Sequence, residues 1–323
     1  MTLQIIYLIV SFVITAVLGK ITIPILKKLK VGQNERSDGP RAHLKKQGTP
    51  TMGGIMMIIS IILVCSIYCI INGNFEDCIP VIAVACASIG FGIVGFIDDF
   101  KKVVLKNTEG LNPRLKMFGL LIISVIYTIF LVKYVNLGTD IIIPFIKYDL
   151  VLPIWIYIPF TILVMLSATN AVNLTDGVDG LAGSVTAIMV TVISIIALKV
   201  GVTSISIFGA IVVGSIIGFL IYNFYKAKVM MGDTGSLLLG GVISSMTIYL
   251  KLPLILLIVA IVPICETLAV ILQVLYFRKT GNRLFKMAPL HHHFELSGWR
   301  ENKVVAVFSL VTLVASAIAI IAI

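Results

Sequence analysis

Apolar residues dominate this chain in runs of about twenty, which are separated by short polar or glycine-containing links. A helix needs about 20 mostly apolar residues to cross the hydrocarbon of a bilayer. The pattern therefore predicts an all-α polytopic membrane protein with ten transmembrane helices. The links near Gly201 and Lys251 are so short that each could instead join two spans into one kinked helix. The predicted spans are residues 3–26, 51–71, 79–97, 115–134, 151–169, 180–199, 203–223, 235–250, 252–276 and 303–323.

Composition supports this class. The 323 residues are 59% apolar and 12% charged, whereas soluble domains are nearer half apolar and a quarter charged. The five cysteines lie mostly in apolar runs, so a disulfide framework is not predicted. The first run is too long for a signal-peptide core and its lysines follow it, which favours a retained helix. We interpret residues 1–323 as a single membrane domain.

The charges predict the orientation. Lysine and arginine concentrate in loops on the cytoplasmic side of membrane proteins. Most of the chain's 25 fall on one side if residues 27–50 are cytoplasmic, and both termini are then outside. The net charge of +10 thus reports topology, and we predict no nucleic-acid partner. Most carboxylates and all four histidines share that side, so we expect the active site on the cytoplasmic face.

Two adjacent carboxylates, Asp98 and Asp99, end the third predicted span. A solvated helix end paired with Lys101 and Lys102 is one explanation. The other is a functional pair, because two anions at a helix C-terminus oppose the helix dipole and need a positive partner. A divalent cation or a charged substrate would serve.

The link between the fifth and sixth spans carries many oxygen-bearing side chains and no cation. A turn whose aspartate caps the next helix explains one of them. The whole set favours a loop that holds metal or sugar. Its members are Asn170, Asn173, Asp176 and Asp179.

Asp233 lies in the segment Met231-Gly-Asp-Thr-Gly-Ser at the start of the eighth span. It could cap that helix or bind metal. Together with the other aspartates on the same face, the hard oxygen ligands favour Mg²⁺, held by Asp233. The chain has no Walker motif.

Three consecutive histidines, His291, His292 and His293, occupy the last cytoplasmic loop. They lack the spacing of a helical zinc site, and imidazoles suit contacts to a diphosphate; a merely solvated loop is the alternative. The loop before the second span offers Lys45, Lys46 and Thr51 for phosphate, although topology alone could explain its charge.

Glu266 is the one acid well inside a predicted span, and Gln273 follows on a similar face. An acid at this depth is a functional candidate, but hydration at the kink of Pro263 explains it equally well.

Five segments resemble the phospho-N-acetylmuramoyl-pentapeptide transferase family, of the polyprenyl-phosphate N-acetylhexosamine-1-phosphate transferase superfamily. They follow the family's order over nearly the whole chain, and the triple histidine before Phe-Glu is the most specific. The segments are Gly48-Thr-Pro-Thr-Met-Gly-Gly, Phe96-Ile-Asp-Asp-Phe-Lys-Lys, Asn170 through Gly183, Met231-Gly-Asp-Thr-Gly-Ser and Ala288-Pro-Leu-His-His-His-Phe-Glu.

The resemblance implies a Mg²⁺-dependent enzyme of the bacterial cytoplasmic membrane, often a homodimer. It would transfer phospho-MurNAc-pentapeptide from UDP-MurNAc-pentapeptide to undecaprenyl phosphate, giving lipid I and UMP. Asp98 would be the base or nucleophile, Asp99 a further essential acid and Asp233 the metal ligand. His292 would join the catalytic set, and His292 and His293 would face the diphosphate or sugar.

The same resemblance places the aspartate and asparagine loop at the nucleotide and sugar site, with Lys106, Asn223 and Gln273 beside it. We count His291 among the substrate-binding residues. Met230 stands where the family often has phenylalanine, which weakens any expectation of aromatic stacking on the uracil.

Two other functions are considered. A transporter would place charges or broken helices near mid-membrane and show repeat symmetry, whereas these acids gather at one surface. A sister enzyme that transfers GlcNAc-1-phosphate to the same lipid phosphate is closer, and the triple histidine argues against it.

Overall fold

The computed structural model describes residues 1–28, 48–103 and 110–323, which form a bundle of helices. Most of the long helices lie within a few residues of the predicted spans. The helices are α1 Thr2–Lys28, α2 Gly54–Asn72, α3 Phe75–Val103, α4 Pro113–Lys133, α5 Ile154–Thr175, α6 Leu181–Lys199, α7 Thr203–Asn223, α8 Gly232–Tyr249, α9 Leu256–Val259, α10 Ile261–Thr280, α11 Leu290–Leu296 and α12 Glu301–Ala322.

Nine helices of the described ranges are long and apolar enough to cross a membrane, namely α1 to α7, α10 and α12. This confirms the predicted class of a helical, multi-span membrane protein. The helix α8 coincides with the predicted eighth span but is not among the nine. Its glycine, serine and threonine residues make it less apolar, and nearly all of it is buried among other helices.

Small residues bring α8 close to its neighbours. A Cβ atom added at Gly95 of α3 would lie 2.1 Å from the backbone oxygen of Asp233, and one at Gly54 of α2 would lie 2.2 Å from the nitrogen of Gly235. Because these glycines have no side chain, the helix backbones can approach closely and pack well. Such packing favours association in a membrane, where no hydrophobic driving force acts between helices. The first turn of α8 is thereby fixed against α2 and α3.

Hydrogen bonds between buried side chains hold the same helices together. The Ser88 hydroxyl of α3 lies 3.3 Å from that of Ser245 in α8, and the Tyr127 hydroxyl of α4 donates to the Ser245 carbonyl at 2.7 Å. In hydrocarbon an unpaired polar group is costly, so these contacts favour one arrangement of the three helices. Those helices carry Asp98, Lys116 and Asp233.

The predicted ninth span, residues 252–276, is not continuous. It consists of a 3₁₀ turn at Pro253–Ile255, the short helix α9 and then α10, with Ala260 outside helical geometry. Pro263 lies in the first turn of α10, where its missing N–H leaves no helical hydrogen bond unmade. The break places Glu266 in the second turn of a helix instead of its middle.

A β-hairpin between α4 and α5 is absent from the sequence prediction. Strand β1, Asp140–Ile143, pairs antiparallel with β2, Tyr148–Val151. The Lys251 ammonium, just beyond α8, contacts an Asp140 carboxylate oxygen at 2.8 Å. The hairpin therefore lies at the end of the bundle opposite the residues predicted to form the site.

Candidate active site

Two lysines bridge two of the predicted catalytic carboxylates. The Lys102 ammonium lies 2.7 Å from Asp98 Oδ2 and 2.9 Å from Asp233 Oδ2. The Lys116 ammonium lies 2.8 Å from the same Asp233 oxygen and 3.5 Å from Asp98 Oδ2. Asp98 is 2% exposed, so a simple solvated helix end is the wrong interpretation, although its pairing with Lys102 is correct.

Asp99 has a separate environment. Its carboxylate accepts hydrogen bonds from the backbone N–H of Asp233 at 3.2 Å, and from the N–H and hydroxyl of Thr234 at 2.9 and 2.6 Å. Free N–H groups at a helix start need such acceptors. Asp99 of α3 therefore caps α8, and the Asp233 side chain, which we considered as that cap, is turned to the lysines.

Helix α5 runs past its predicted end at residue 169, so that Asn170 and Asn173 lie on its last two turns. The Asn173 amide donates to Asp233 Oδ1 and to the Ser236 hydroxyl, both at 2.8 Å. The Asn170 amide donates to the carbonyl of Leu166 at 2.7 Å. Asn173 thus supports the Asp233 oxygen that the lysines leave free.

The loop between α5 and α6 brings two further aspartates to the same end. Burial and the negative charges of Asp233, Asp99 and Asp179 raise the pKa of Asp176 to about 8, although a backbone hydrogen bond from Gly232 opposes the shift. Burial is the larger cause of this shift, and the three neighbouring carboxylates add negative charge to it. The loop is therefore a favourable place for a cation.

The other two predicted residues of this region have structural contacts. Asp179 is buried and accepts from the backbone N–H of Ala227 at 3.0 Å. Asn223 accepts from the N–H of Gly180 at 3.0 Å and donates to the carbonyl of Val229 at 2.9 Å. They join the loop after α5 to the loop after α7.

A cavity of about 310 Å³ opens beside the bridged carboxylates. Asp98, Lys102, Lys116 and Asn170 form its polar wall. Leu111, Met117 and Leu120 form an apolar wall, and α4 contributes both Lys116 and the last two of these. The cavity is thus lined both by two ammonium groups and by apolar side chains.

The three histidines differ in their contacts. His291 is 1% exposed and its Nδ1 lies 3.0 Å from Glu266 Oε1. His292 Nδ1 lies 2.9 Å from Glu295 Oε2, and His293 Nδ1 accepts from the N–H of Lys286 at 3.2 Å. A Cβ atom added at Gly177 would lie 2.1 Å from His291 Nε2. The histidine helix α11 therefore packs on the aspartate loop.

Two polar residues of α10 hold the histidine segment. Gln273 Oε1 accepts from the N–H groups of Leu284 and Phe285 at 3.1 and 2.8 Å. Glu266 is fully buried and hydrogen-bonded to α11, so hydration at a proline kink is the wrong account of it. The segment after α10 is thereby folded back along the helix.

Sequence reasoning missed one residue of this site. In the sequence, Lys116 indicates only the charge asymmetry between the two sides, although it is the second residue of a predicted apolar span. Of the other predicted residues, Thr51 is buried next to Gly232, which starts α8. Lys45, Lys46 and Lys106 lie outside the described residues.

The carboxylates were tested against the requirements of a metal. Among residues 1–28, 48–103 and 110–323, no three Asp, Glu, His or Cys side chains are placed to hold an ion together. Mg²⁺, however, is commonly bound by one or two carboxylates together with water and substrate phosphates. Asp98 and Asp233, which already share two cationic groups, fit that smaller ligand set.

Known proteins match this chain over nearly its whole length. The model of glycosyl transferase family 4 matches residues 81–251, more than half of the chain. A phospho-N-acetylmuramoyl-pentapeptide-transferase of Acetivibrio thermocellus is 46% identical over 306 residues, which are 94% of this chain and 90% of the relative. The chain belongs to the phospho-N-acetylmuramoyl-pentapeptide-transferase family.

Two other members of the family give the same result. The protein of Clostridium botulinum strain Eklund 17B is 46% identical over 315 residues, 98% of this chain and 95% of the relative. That of Clostridium perfringens strain 13 is 46% identical over 307 residues, 95% and 94% of the two chains. The family model ends before the histidines, whereas these phospho-N-acetylmuramoyl-pentapeptide-transferases match beyond them.

Proposed function

We propose that the protein transfers phospho-MurNAc-pentapeptide from UDP-MurNAc-pentapeptide to undecaprenyl phosphate in peptidoglycan synthesis. An oxygen of the lipid phosphate attacks the phosphorus next to the sugar, and the bond from that phosphorus to the UMP oxygen breaks. The products are lipid I and UMP. The relatives' names and the geometry of the cavity support this reaction.

The observation that carries the proposal is the pairing of two ammonium groups with an apolar wall. Phosphoryl transfer depends on cations that position phosphates and neutralise their charge. Lys102 and Lys116 line the polar side of the cavity, and Met117 and Leu120 extend the apolar side. A phosphate attached to a polyprenyl chain needs both surfaces at once.

The proposed topology has ten crossings, with both termini outside and the site on the cytoplasmic face of the bacterial cell membrane. The helix α8, which is the eighth in chain order, is the crossing that brings the nine long apolar helices to ten. Its low hydropathy is compatible with that position because neighbouring helices, and not lipid, surround it. The cations near the site support the orientation. The homodimer that the family resemblance implies stays a prediction.

We infer that Mg²⁺ is the cofactor, held by Asp233 with Asp98 beside it. When bound, the ion would neutralise charge on the diphosphate and on the leaving UMP. Asn173 orients Asp233 by donating a hydrogen bond to the Oδ1 oxygen of Asp233. Asp99 fixes the helix turn that carries Asp233. Asp176 adds negative charge nearby.

Direct attack by the lipid phosphate, with Asp98 as the base, is the proposed route. Both Asp98 oxygens already have partners, because Oδ1 accepts from the N–H of Leu111 at 2.6 Å and Oδ2 contacts the lysines. A covalent phospho-aspartate would occupy one of these oxygens for the lifetime of the intermediate, whereas a base exchanges an Oδ2–lysine contact for a proton only during the attack. Phosphorylated Asp98, trapped with the nucleotide substrate alone, would overturn this route.

The reaction is tested by UMP release from purified protein in lipid, with UDP-MurNAc-pentapeptide and UDP-GlcNAc in competition. We expect UMP only when undecaprenyl phosphate is present, and products that carry the pentapeptide. Activity with UDP-GlcNAc but none with UDP-MurNAc-pentapeptide would show the sister enzyme instead.

A further inference from the structure

Glu266 and His291 form a buried pair that is shielded from water. Glu266 is 0% exposed and His291 is 1% exposed. The Glu266 carboxylate accepts hydrogen bonds from the backbone N–H groups of Leu290 and His291. Its Oε1 also lies 3.0 Å from His291 Nδ1. One carboxylate therefore holds both the backbone and the ring of the histidine.

These contacts determine which ring nitrogen is available. An ionised carboxylate only accepts hydrogen bonds, so Nδ1 must carry the proton that it shares with Glu266. The other nitrogen, Nε2, is then the atom that can act on another molecule. It is buried and has no hydrogen-bond partner among residues 1–28, 48–103 and 110–323.

The free nitrogen points toward the aspartate loop. A side chain at position 177 would begin 2.1 Å from Nε2, and Gly177 follows Asp176 directly. Buried polar atoms in folded proteins nearly always have a partner. Glycine at this position lets the His291 ring pack directly on the loop, so Nε2 lies against the residues that are proposed to bind the substrate.

We propose that Glu266 is a positioning residue, which fixes the tautomer and orientation of His291 so that Nε2 faces the aspartate loop at the proposed site of the nucleotide sugar. Carboxylates that hold a working imidazole through its other nitrogen have this role in metal and catalytic sites. The kinetic part of this inference rests on the proposed reaction. The choice of nitrogen does not.

Nitrogen-15 NMR of histidine-labelled protein in lipid nanodiscs tests the choice of nitrogen without substrate. The chain has only four histidines, so His291→Gln assigns the signal of interest. We expect a proton on Nδ1 in the wild type and a changed His291 signal in Glu266→Gln. The matched control Glu295→Gln, next to His292, should leave the His291 signal in place.

Kinetics then separate positioning from general stability. We expect Glu266→Gln to lower kcat for UMP release about 10- to 100-fold, with KM values little changed. If Glu266 acts through His291, the double variant with His291→Gln should be no slower than His291→Gln alone. Losses that multiply, or an unmoved His291 signal in folded Glu266→Gln, would overturn the inference.

A second variant guards against a misfolded Glu266→Gln. Gly177→Ala displaces the ring from the opposite side and leaves Glu266 intact. It should also lower kcat and shift the His291 signal, and full activity with an unmoved signal would contradict the proposal. An inactive wild type, by contrast, would refute the proposed reaction and leave the NMR result standing.

Discussion

Replacing Lys116 with methionine removes a positive charge from the cavity and keeps the length of the side chain. The lysine contacts Asp233 at 2.8 Å and Asp98 at 3.5 Å, and its side chain is 19% exposed. Lys102 contacts both carboxylates as well. Lys116→Met therefore leaves neither carboxylate without a cation, so the altered property is the binding of phosphate.

The magnitude follows from the lost contact. A hydrogen bond to a charged group contributes about 1.5 to 3 kcal/mol, and about 1.4 kcal/mol corresponds to a tenfold change in an equilibrium constant. We expect KM for undecaprenyl phosphate to rise about 10- to 100-fold in Lys116→Met. The KM for the nucleotide sugar should change much less, because Lys116 lines the cavity assigned to the lipid phosphate and its helix also supplies the apolar residues Met117 and Leu120.

The assay is UMP release in mixed micelles, with each substrate varied while the other is saturating. Lys133→Met is the matched control, since Lys133 is exposed at the opposite end of the same helix. An unchanged KM for the lipid phosphate, or a rise confined to the nucleotide sugar, would refute the assignment of this cavity to the acceptor.

Three further outcomes are expected. Thr234→Val removes the hydroxyl that donates to Asp99 at 2.6 Å, which should lower the free energy of unfolding by about 1 to 3 kcal/mol in a denaturant titration. An unchanged value would contradict a stabilising role of this side-chain contact. Gly95→Ala should abolish activity and lower the melting temperature, because the new Cβ would lie 2.1 Å from the backbone of α8. In the control Gly90→Ala, the new Cβ meets only a flexible side chain at 3.3 Å. Equal behaviour of the two variants would contradict this packing. Asp176, with a folded pKa of about 8, binds a proton between about pH 4 and pH 8 that the unfolded chain releases, so stability in metal-free buffer should fall as pH rises through that window. A melting curve series should lose this slope in Asp176→Asn, and a slope that persists would exclude Asp176 as its source.

The sequence predicts most of the fold because hydrocarbon imposes a length and a composition on each crossing. It predicts α8 less directly, since its serine and glycine residues are explained by burial among helices that a local pattern does not show. The break at Ala260, three residues before Pro263, is likewise absent from the apolar pattern. The hairpin at Asp140–Ile143 and Tyr148–Val151 lies in the link between two long apolar runs, and the search for spans does not detect it.

For the site, the aspartates and histidines could be predicted because charged groups are rare in this chain and cluster on one side. The contacts that these residues make with one another and with the lysines could not be predicted. Lys116 resembles any lysine at a helix start until the fold brings it to Asp233, 117 residues away. Likewise, the partner of Glu266 cannot be predicted from the sequence, because the segment after α10 must fold back before His291 contacts it.

The central claim, a Mg²⁺-dependent transfer of a phosphorylated sugar to a lipid phosphate, is tested most directly by UMP release with and without Mg²⁺. Wild type and Asp233→Asn should be compared in lipid, with both substrates present and with each omitted. We predict UMP only from the wild type with both substrates and Mg²⁺, and a loss of about 100-fold or more in the variant. Metal-independent release, or a fully active Asp233→Asn, would contradict the account.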